Sequence, residues 1–565
     1  MPLLPNLASP LTVCLLLTAM PAGAMNPASA GKPEKAANES TLSEPQPSSA
    51  KETPPLQAPS VTAAAAAATP AQAKAEASPE ARFDVLEFRI EGNSVLSALA
   101  IETAVYPFLG EQREVKDMEA ARKALEKAYH DGGYLTVFVD LPEQEVTGGL
   151  VRLKVTEAKV ERQRVSGAKY FSLGRIKSQT SQLAEGNVPY FPELQKELAS
   201  VNRSADRKVT PALRAGRSPG TVEVDLKVQD RSPMHGRAEL NDRYSLNTSH
   251  SRLALDLRYN NLWQRQHGLN LSFQVAPEET KDSQVFAGTY LVPLTSGNFL
   301  AAYMVHNESD VAAIGAVNTI GQGDILGLRY ILPLRGRPGY FHNLTLGVDY
   351  KNFNQTVNLL GGGGIDLPIS YLPFTVAYDA TLPAGSRGQT KFNLSANFSV
   401  RGLGNDAKEF SDKASDPNWS NLKVEVKNSM KFADDWLFST RLGGQLASRH
   451  LISNEQYAIG GVDSVRGYPE SAALGDNGFS SSLELQMPGW NGLHPYLFMD
   501  AATVRVREAS AGTIDRYDLL STGAGVRISG WGGFSGALDW AYPYKTVGNV
   551  VDGDSRLHFR LSYEW

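Results

Sequence analysis

The sequence predicts a mainly β protein, in which a large transmembrane antiparallel β-barrel follows two smaller α+β modules. Three observations predict this fold. Residues 235–565 contain long stretches of alternating apolar and polar residues, the preceding region repeats a plan of strands and amphipathic helices, and the last strand alternates up to its final aromatic residue. At 565 residues, the chain is long enough for one large barrel with attached domains.

Composition excludes several classes of protein. The chain has 60 acidic and 55 basic residues, and its net charge of −5 leaves no broad basic surface for nucleic acid. The only cysteine, Cys14, lies in a segment that we predict to be removed, so we expect no disulfide, cysteine metal site or cysteine nucleophile. The nine histidines are scattered, with no pair at the spacing of a helical metal site. We therefore predict no enzyme, no catalytic residues, no cofactor and no metal centre.

The first 80 residues indicate a signal peptide followed by a tether. Leu11–Met20 is a short apolar run, and the small residues at 22–24 follow it, which is the pattern of a secretory signal over residues 1–24. The run is too short for a membrane-spanning helix, which needs about 20 residues. Residues 25–80 are rich in Ala, Pro, Ser, Glu and Lys and predict a disordered tether. The sequence leaves open whether a plug helix lies within this tether.

Two successive α+β modules are predicted at residues 81–157 and 158–232. In the first module, apolar residues spaced three or four apart between Lys116 and His130 predict a helix with one buried face. Strands with alternating apolar residues flank this helix, and the second module repeats the plan. A small sheet of this kind can add an extended segment of another protein to an uncovered edge.

The barrel is predicted over residues 233–565. Its stretches of alternation are 10–14 residues long, whereas strands of soluble proteins average about 5–6 and a tilted strand needs about 9–11 to cross a bilayer. From His235 onward we count 16 candidate strands. A soluble sandwich would show the same alternation with its polar face toward solvent. Long strands favour the barrel instead, and closure removes the exposed edges that so many strands would otherwise leave.

The final strand alternates most clearly. Its large apolar residues are Leu557, Phe559, Leu561, Tyr563 and Trp565, and polar residues stand between them. One face therefore suits lipid and the other suits a polar lumen. We expect the same five residues to form the C-terminal signal for assembly of the barrel.

The most informative segment for function is the glycine-rich stretch at residues 459–479. It contains the consecutive residues Val465, Arg466, Gly467 and Tyr468. This VRGY sequence, together with the Gly-Gly pair before it and Gly475-Asp476 after it, closely resembles the signature of the two-partner secretion transporters, the haemolysin secretion/activation family of the ShlB/FhaC/HecB type. The order of leader, tether, two modules and barrel also resembles that family, over the region from Phe83 to Trp565.

The resemblance implies a structure for the modules and for the VRGY segment. The modules would be periplasmic polypeptide-transport-associated (POTRA) domains, and a loop at about 452–477 would fold into the lumen of a 16-stranded barrel. In the family, the arginine of this loop pairs with an aspartate on the barrel wall, which corresponds here to Asp500, close to Phe498. The family often has glycine two residues after that aspartate, and Ala502 stands there instead.

The proposed pairing is consistent with the chemistry of the residues. An arginine presents a planar fork of donors that a carboxylate can meet with both oxygens. The alternative is that Arg466 is an exposed loop charge, whose ion pair would contribute under about 1 kcal/mol. Gly467 would let the backbone turn tightly, and Tyr468 would pack on the lumen wall with its hydroxyl on a polar partner.

The resemblance implies an outer-membrane transporter of two-partner (type V) secretion. Such a protein recognises an unfolded partner in the periplasm through its POTRA modules and exports it through the barrel to the cell surface. The partners implied are a large secreted protein of the adhesin, haemolysin or toxin type, outer-membrane lipid and the barrel-assembly machinery, with no nucleic acid and with a monomeric transporter.

Two other functions stay open at this point: an assembly or insertion factor of the same superfamily, and a passive solute porin. Two modules are fewer than such assembly factors usually carry, and a porin has no evident use for them.

Overall fold

The computed structural model describes residues 82–565, apart from residues 247, 310, 315–316, 337–338, 359–363, 434 and 509–513. The predicted signal peptide, tether and any plug helix therefore lie outside the described residues. The described part is mainly β and contains a closed antiparallel barrel preceded by two small α+β units. The predicted fold class is confirmed.

The first module is a three-stranded sheet covered by two helices. Its elements are β1 (Phe83–Val85), β2 (Glu87–Glu91), α1 (Ala98–Val105), β3 (Gly110–Arg113), α2 (Val115–Asp131), β4 (Val137–Asp140) and β5 (Leu150–Glu157). The sheet order is β2–β5–β4, with β2 parallel and β4 antiparallel to the central strand. Leu125 and Tyr129 of α2 are buried against this sheet. Sequence periodicity predicts α2 but misses α1, because eight residues barely complete two turns.

The second module has the same topology. Its elements are β6 (Lys159–Ser166), α3 (Leu173–Ser178), α4 (Phe191–Val201), β7 (Arg207–Ala215) and β8 (Thr221–Asp230). The sheet order is β6–β8–β7, with β6 parallel and β7 antiparallel to the central strand. Leu194 and Leu198 of α4 join the apolar cluster beneath this sheet.

The rest of the chain forms the barrel and its loops. In chain order the elements are β9 (Met234–Asn241), β10 (Arg252–Leu262), β11 (His267–Val275), β12 (Gln284–Pro293), β13 (Phe299–Asn307), β14 (Val311–Ile314), β15 (Val317–Ile320), β16 (Gln322–Pro333), β17 (Phe341–Asn358), β18 (Gly364–Tyr371), β19 (Phe374–Pro383), β20 (Gly388–Ser399), α5 (Ala407–Ser411), β21 (Trp419–Ala433), β22 (Trp436–Ala447), β23 (Tyr457–Ile459), β24 (Ala473–Gly475), β25 (Asn477–Gln486), β26 (Leu493–Arg505), β27 (Arg516–Trp531), β28 (Phe534–Pro543) and β29 (Arg556–Glu564). The pairs β14–β15 and β23–β24 are separate two-stranded ladders outside the barrel wall.

The barrel has sixteen strand positions, as the sequence predicts. One half of β17 pairs with β18 and the other half with β19. These two segments are separated only by Leu372 and Pro373, and together they fill one position. Proline has no backbone N–H to give to a ladder, so an interruption at this point is expected. The barrel closes where β29 pairs with β9.

Alternation along the strands divides the barrel into an outer apolar face and an inner polar one. On β28, Leu538 and Trp540 are 43% and 49% exposed, whereas Asp539 between them is 4% exposed. On β29, Leu557, Leu561 and Tyr563 are exposed, and His558 and Ser562 are buried. Separately, the described residues include no helix with the length and apolarity to span a membrane.

Short contacts join the two modules to each other and to the barrel. Phe191 N–H donates to Gly133 O at 2.9 Å, between the modules. At the barrel, Asp206 accepts hydrogen bonds from Arg231 Nε and Asn260 Nδ2 at 2.9 and 2.8 Å, and its Oδ1 lies 2.8 Å from His235 Nε2. Burial alone would raise the pKa of Asp206, but these hydrogen bonds outweigh it and lower the pKa. The second module is therefore tied to the start of the barrel through a buried carboxylate.

The contact between the modules predicts an unequal effect of two glycine substitutions. Gly133 and Gly186 have nearly equal backbone angles, φ +92° and +91°. A Cβ at Gly133 would lie 2.7 Å from Pro192 Cδ and 2.8 Å from Tyr190 Cε2, whereas one at Gly186 would meet nothing within 4 Å. Gly133→Ala should therefore add about 1–3 kcal/mol of overpacking to the backbone strain that both variants share. Limited proteolysis of the two modules in full-length protein, across a urea series, measures this loss of stability. Equal losses of stability in Gly133→Ala and Gly186→Ala would contradict this prediction.

Candidate functional site

Residues 448–476, here called the lumen loop, connect β22 to β25, and the part that carries the VRGY residues lies against the inner wall of the barrel. Strands β23 and β24 pair antiparallel and form the stem of the loop. The tip carries the VRGY residues and reaches inward-facing side chains on four barrel strands, namely Glu484 on β25, Asp500 on β26, Asp539 on β28 and His558 on β29. The predicted motif therefore lies against the inner wall.

Asp476 closes the base of the lumen loop. Its side chain is fully buried and accepts hydrogen bonds from the backbone N–H groups of Leu451 and Arg507 at 2.7 and 2.6 Å. Gln456 Nε2 donates to the same carboxylate at 3.2 Å. One buried carboxylate thus joins the first residues of the loop to the connection that follows β26.

A second buried carboxylate and an apolar cluster hold the start of the loop to other strands. Glu455 accepts hydrogen bonds from Lys351 Nζ at 2.6 Å and from the Tyr371 hydroxyl at 2.8 Å. Leu451 and Ile452 pack in a cluster that includes Phe353, Ile369, Phe410 and Trp419. The base of the loop is therefore held by both apolar packing and ion pairs.

Arg466, at the tip, makes a two-pronged ion pair with Asp500. Arg466 Nε donates to Asp500 Oδ2 at 2.7 Å, and Nη2 donates to Oδ1 at 3.0 Å. The backbone N–H of Arg466 adds a third hydrogen bond to the same carboxylate, at 3.1 Å. The two residues are only 5% and 1% exposed, so solvent screens this pair far less than a surface pair.

Further charged residues surround this pair. Arg466 Nη1 lies 3.4 Å from Glu484 Oε2 and 3.7 Å from Asp539 Oδ2. Arg527 Nη2 donates to Glu484 Oε2 at 2.8 Å. Three buried carboxylates therefore face two guanidinium groups, and loss of Arg466 would leave an excess of negative charge in a poorly hydrated place.

The other residues predicted at the site pack around the ion pair. The guanidinium carbon of Arg466 lies 3.5 Å from the centre of the Phe498 ring, which places the cation over the aromatic face. Val465 and Tyr468 are fully buried in one apolar cluster that also contains Ala502. The Tyr468 hydroxyl donates to Lys545 O at 2.8 Å. The methyl group of Ala502, which departs from the family pattern, contributes to this cluster.

Gly467 is required at the tip for its backbone conformation. Its φ is +92°, a region that residues with a side chain rarely adopt. A Cβ there would lie 3.4 Å from the nearest atom, the Cβ of Ala541, which is an ordinary contact. The restriction at this position is therefore one of backbone geometry and not of space.

Sequence reasoning missed three residues of the site, Arg527, Asp539 and His558. Each is an ionisable side chain on a barrel strand, with an apolar residue on either side of it in the sequence. That alternation was the available signal, but it does not indicate which inward charges meet across strands. The structure also brings Glu484 into the site, through its contacts with both arginines.

A cavity of about 580 Å³ lies beside the tip of the lumen loop. Residues of the site line it, including Arg466, Glu484, Arg527 and Asp539. The Arg466 side chain is thus held by polar groups next to open space, while Val465 and Tyr468 of the same tip pack in an apolar cluster.

Four of the five residues of the predicted C-terminal signal face outward with substantial exposure, namely Leu557, Leu561, Tyr563 and Trp565. Phe559 is partly buried. The backbone of Trp565 exchanges hydrogen bonds of 3.0 and 3.1 Å with Gly236 on β9. The final residue therefore takes part in closing the barrel, while a role of these residues as an assembly signal stays a prediction.

Comparison with known proteins gives two family matches. The family model described as "Haemolysin secretion/activation protein ShlB/FhaC/HecB" matches residues 220–528, which is more than half of the chain. The model described as "POTRA domain, ShlB-type" matches residues 83–158.

Individual relatives are distant but cover most of the chain. "Outer membrane transporter CdiB" of Dickeya dadantii (strain 3937) is 22% identical over 437 residues, covering 72% of this chain and 73% of the relative. "Heme/hemopexin transporter protein HuxB" of Haemophilus influenzae (strain 86-028NP) is 21% identical over 474 residues, covering 80% and 82%. The solved structure of CdiB from Escherichia coli superposes with a TM-score of 0.57 at 18% identity, covering 88% of this chain and 93% of that one. The structural likeness shows that the fold is shared.

The ion pair at the tip predicts non-additive effects on conductance. Arg466→Ala and Asp500→Ala should each release the tip, because breaking one buried pair costs about 3–5 kcal/mol. Each variant should therefore raise the conductance of single channels in planar bilayers, and the double variant should raise it no further, since both changes remove one interaction.

Arg505→Ala is the matched control, because this arginine is also on β26 but forms only an exposed ion pair with Asp515, at 3.7 Å. Its conductance should stay at the wild-type value. Unchanged conductance in inserted barrels of both single variants would show that the pair does not hold the tip.

Proposed function

The chain belongs to the haemolysin secretion/activation family of two-partner secretion transporters, and from this premise we propose that it exports one or a few large partner proteins through its barrel. Its barrel lies in the outer membrane, and its POTRA modules lie in the periplasm. In the proposed function, the partner binds the modules while unfolded and passes to the cell surface as an extended chain.

The observation that carries the proposal is a loop that enters the lumen and whose tip is held there by a buried ion pair. The tip contacts the inner wall at four strands, through Glu484 on β25, Asp500 on β26, Asp539 on β28 and His558 on β29. A partner that takes this path through the barrel has to displace the tip.

The polar contacts of Arg466 favour movement of the tip over movement of the base, and this movement would also uncover the apolar contacts of Val465 and Tyr468. The base is packed into an apolar cluster through Leu451 and Ile452. The Arg466 side chain contacts mainly polar groups, which water can replace once the cavity is hydrated. We propose that the tip leaves Asp500 during export while the base stays in place.

The edge strand β4 of the first module is already occupied. Arg122 Nη1 donates to Val139 O at 3.0 Å, and Val139 N–H donates to Glu126 Oε2 at 3.2 Å. His130 Nε2 lies 3.1 Å from Val137 O. Side chains of α2 therefore take the backbone groups that an added strand would need.

Both edges of the second module are also partly covered. On β6, Val160 N–H donates to Asn187 O at 2.9 Å, and Gly186 N–H donates to Val160 O at 2.7 Å. On β7, the Asn202 side chain bonds both backbone groups of Val209, at 2.6 and 2.9 Å. An added strand would have to displace these contacts.

The outer edge of β2 is the edge that we propose for the partner. Strand β2 lies at the side of its sheet and pairs only with β5 among the strands of the described residues. Main-chain hydrogen bonds to this edge would hold an extended client while reading little of its sequence. A client held in this way is already in the conformation that the pore requires.

The remaining partners follow from the outer surface and from the compartment. The exposed apolar face of the barrel suits outer-membrane lipid, and we propose that a monomer is the working unit. A partner of the adhesin, haemolysin or toxin type fits the proposed route. The periplasm supplies no nucleotide fuel, so folding of the partner outside the cell would drive its progress.

A clean deletion of the gene tests the proposal directly. Quantitative proteomics of culture medium and outer membrane should show loss of one or a few large extracellular proteins while other barrel proteins keep their abundance. A broad fall in barrel proteins would instead indicate an assembly factor. No change in either fraction would leave the export proposal without support and favour a passive porin.

A photo-crosslinking amino acid tests the docking edge. When this amino acid replaces Arg89 on β2, it should crosslink the partner during export. When it replaces Arg152, which lies opposite Arg89 on the central strand β5, the partner should be crosslinked far less. The same amino acid in place of Phe138 on β4, which is 49% exposed, tests the covered edge. Stronger crosslinking at Phe138 than at Arg89 would contradict the assignment of β2.

A further inference from the structure

The junction where β29 meets β9, here called the seam, is the shortest ladder in the barrel wall. Residues Arg237–Asn241 pair with Arg560–Glu564 in five register positions, and the backbone of Gly236 adds a pair of bonds to Trp565. Each other neighbouring pair in the barrel, over the described residues, has eight or more positions. The seam is thus held by fewer backbone hydrogen bonds than the rest of the wall.

Asp242 extends the seam with its side chain where the ladder ends. Its backbone N–H donates to Phe559 O at 3.3 Å, and its Oδ1 accepts the Phe559 N–H at 2.9 Å. Its Oδ2 lies 2.8 Å from His558 Nδ1. Asp242 and His558 are 6% and 3% exposed, so these bonds are shielded from water. A carboxylate here replaces the carbonyl that a continuing strand would supply.

His558 connects this end of the seam to the tip of the lumen loop. The Gly467 N–H donates to His558 Nε2 at 2.8 Å. A neutral imidazole can accept at Nε2 only if Nδ1 carries the hydrogen, and Nδ1–H then donates to Asp242. One ring therefore joins the VRGY tip, β29 and the end of β9 in a single chain of hydrogen bonds.

Beyond Asp242, the chain leaves the seam and follows the lumen loop. Glu470 N–H donates to Tyr244 O at 3.0 Å, and Ser245 forms a parallel bridge with Glu470. Arg243 pairs with Asp463 of the loop. The residues that would lengthen the ladder to β29 are thus bound to the loop instead.

From this arrangement we propose that His558 and Asp242 are positioning residues that couple the tip of the lumen loop to the seam. While the tip is seated, the ring holds Gly467 and the seam together. Withdrawal of the tip removes one hydrogen bond from His558 and frees residues 243–245 from the loop, so the end of the seam loosens. The coupling concerns the empty transporter and does not depend on which partner is exported.

A cysteine pair across the seam measures the coupling. Leu240 and Leu561 are directly opposed in register and both face outward, and the only native cysteine, Cys14, lies in the predicted leader. In full-length protein carrying Leu240→Cys and Leu561→Cys, the rate of disulfide formation under mild oxidation reports how closely the seam is held. Only folded barrels, identified by heat-modifiable mobility on gels, are scored.

Release of the tip and loss of the ring should have the same effect on this rate. The Arg466 side chain makes no contact with the seam. Arg466→Ala should nevertheless slow formation of the disulfide roughly fivefold to tenfold, as expected for loss of one or two buried hydrogen bonds. His558→Ala should slow it to a similar extent, and the combination should be no slower than either change alone. His558→Gln keeps a donor and an acceptor and should restore much of the wild-type rate.

Two controls separate coupling from a purely structural role. Arg466→Lys keeps the charge but loses the fork, so it should give an intermediate rate even where Arg466→Ala fails to fold. His342→Ala removes a histidine on β17, away from the seam, and should leave the rate unchanged. If His558→Ala slows crosslinking while both Arg466 variants keep the wild-type rate, the ring only supports the seam and the proposal is overturned. This readout needs no partner, so failure of export and failure of coupling are distinguishable.

Discussion

The position of the tip of the lumen loop depends on one buried ion pair, between Arg466 and Asp500. Placing a guanidinium and a carboxylate in a poorly hydrated interior is costly unless each finds a geometrically good partner. Here the fork of the arginine meets both carboxylate oxygens, the backbone N–H of the same residue adds a third bond, and the ring of Phe498 lies against the cation. The tip can therefore occupy this place only when all these groups are in register, which makes its seated state specific.

The same interaction explains why several neighbouring residues have restricted identities. Gly467 must adopt a positive φ directly after the arginine, and its N–H must then find an acceptor, which His558 supplies. Glu484 is shared by Arg466 and Arg527, so displacement of the tip also changes the surroundings of a second arginine on β27. The charges of the lumen wall thus form a connected group whose balance depends on whether the loop is present.

The sequence predicts the barrel well because the information for it is local. Alternation with a period of two identifies inward and outward residues within each strand, and strand length identifies a membrane barrel without reference to any partner strand. Arg466 and Asp500 came from a short motif and its resemblance to a family. By contrast, the contacts of Asp539, His558 and Asp242 depend on the register of strands that are distant in sequence, with Asp242 and His558 more than 300 residues apart. Alternation fixes which way these side chains point, but only the closed barrel fixes which of them meet.

Contacts of different chemical character hold the modules, the base of the lumen loop and its tip. The periplasmic arm is fixed at two junctions, one through the close packing of Gly133 against Tyr190 and Pro192, the other through the buried carboxylate of Asp206. The base of the lumen loop is fixed by an apolar cluster, which water cannot replace, and by the buried carboxylates of Glu455 and Asp476. The Arg466 side chain at the tip is held by charged groups beside a cavity, where water can replace its hydrogen bonds. In the export that we propose, a chain arriving from the modules would therefore displace the tip and leave the base in place.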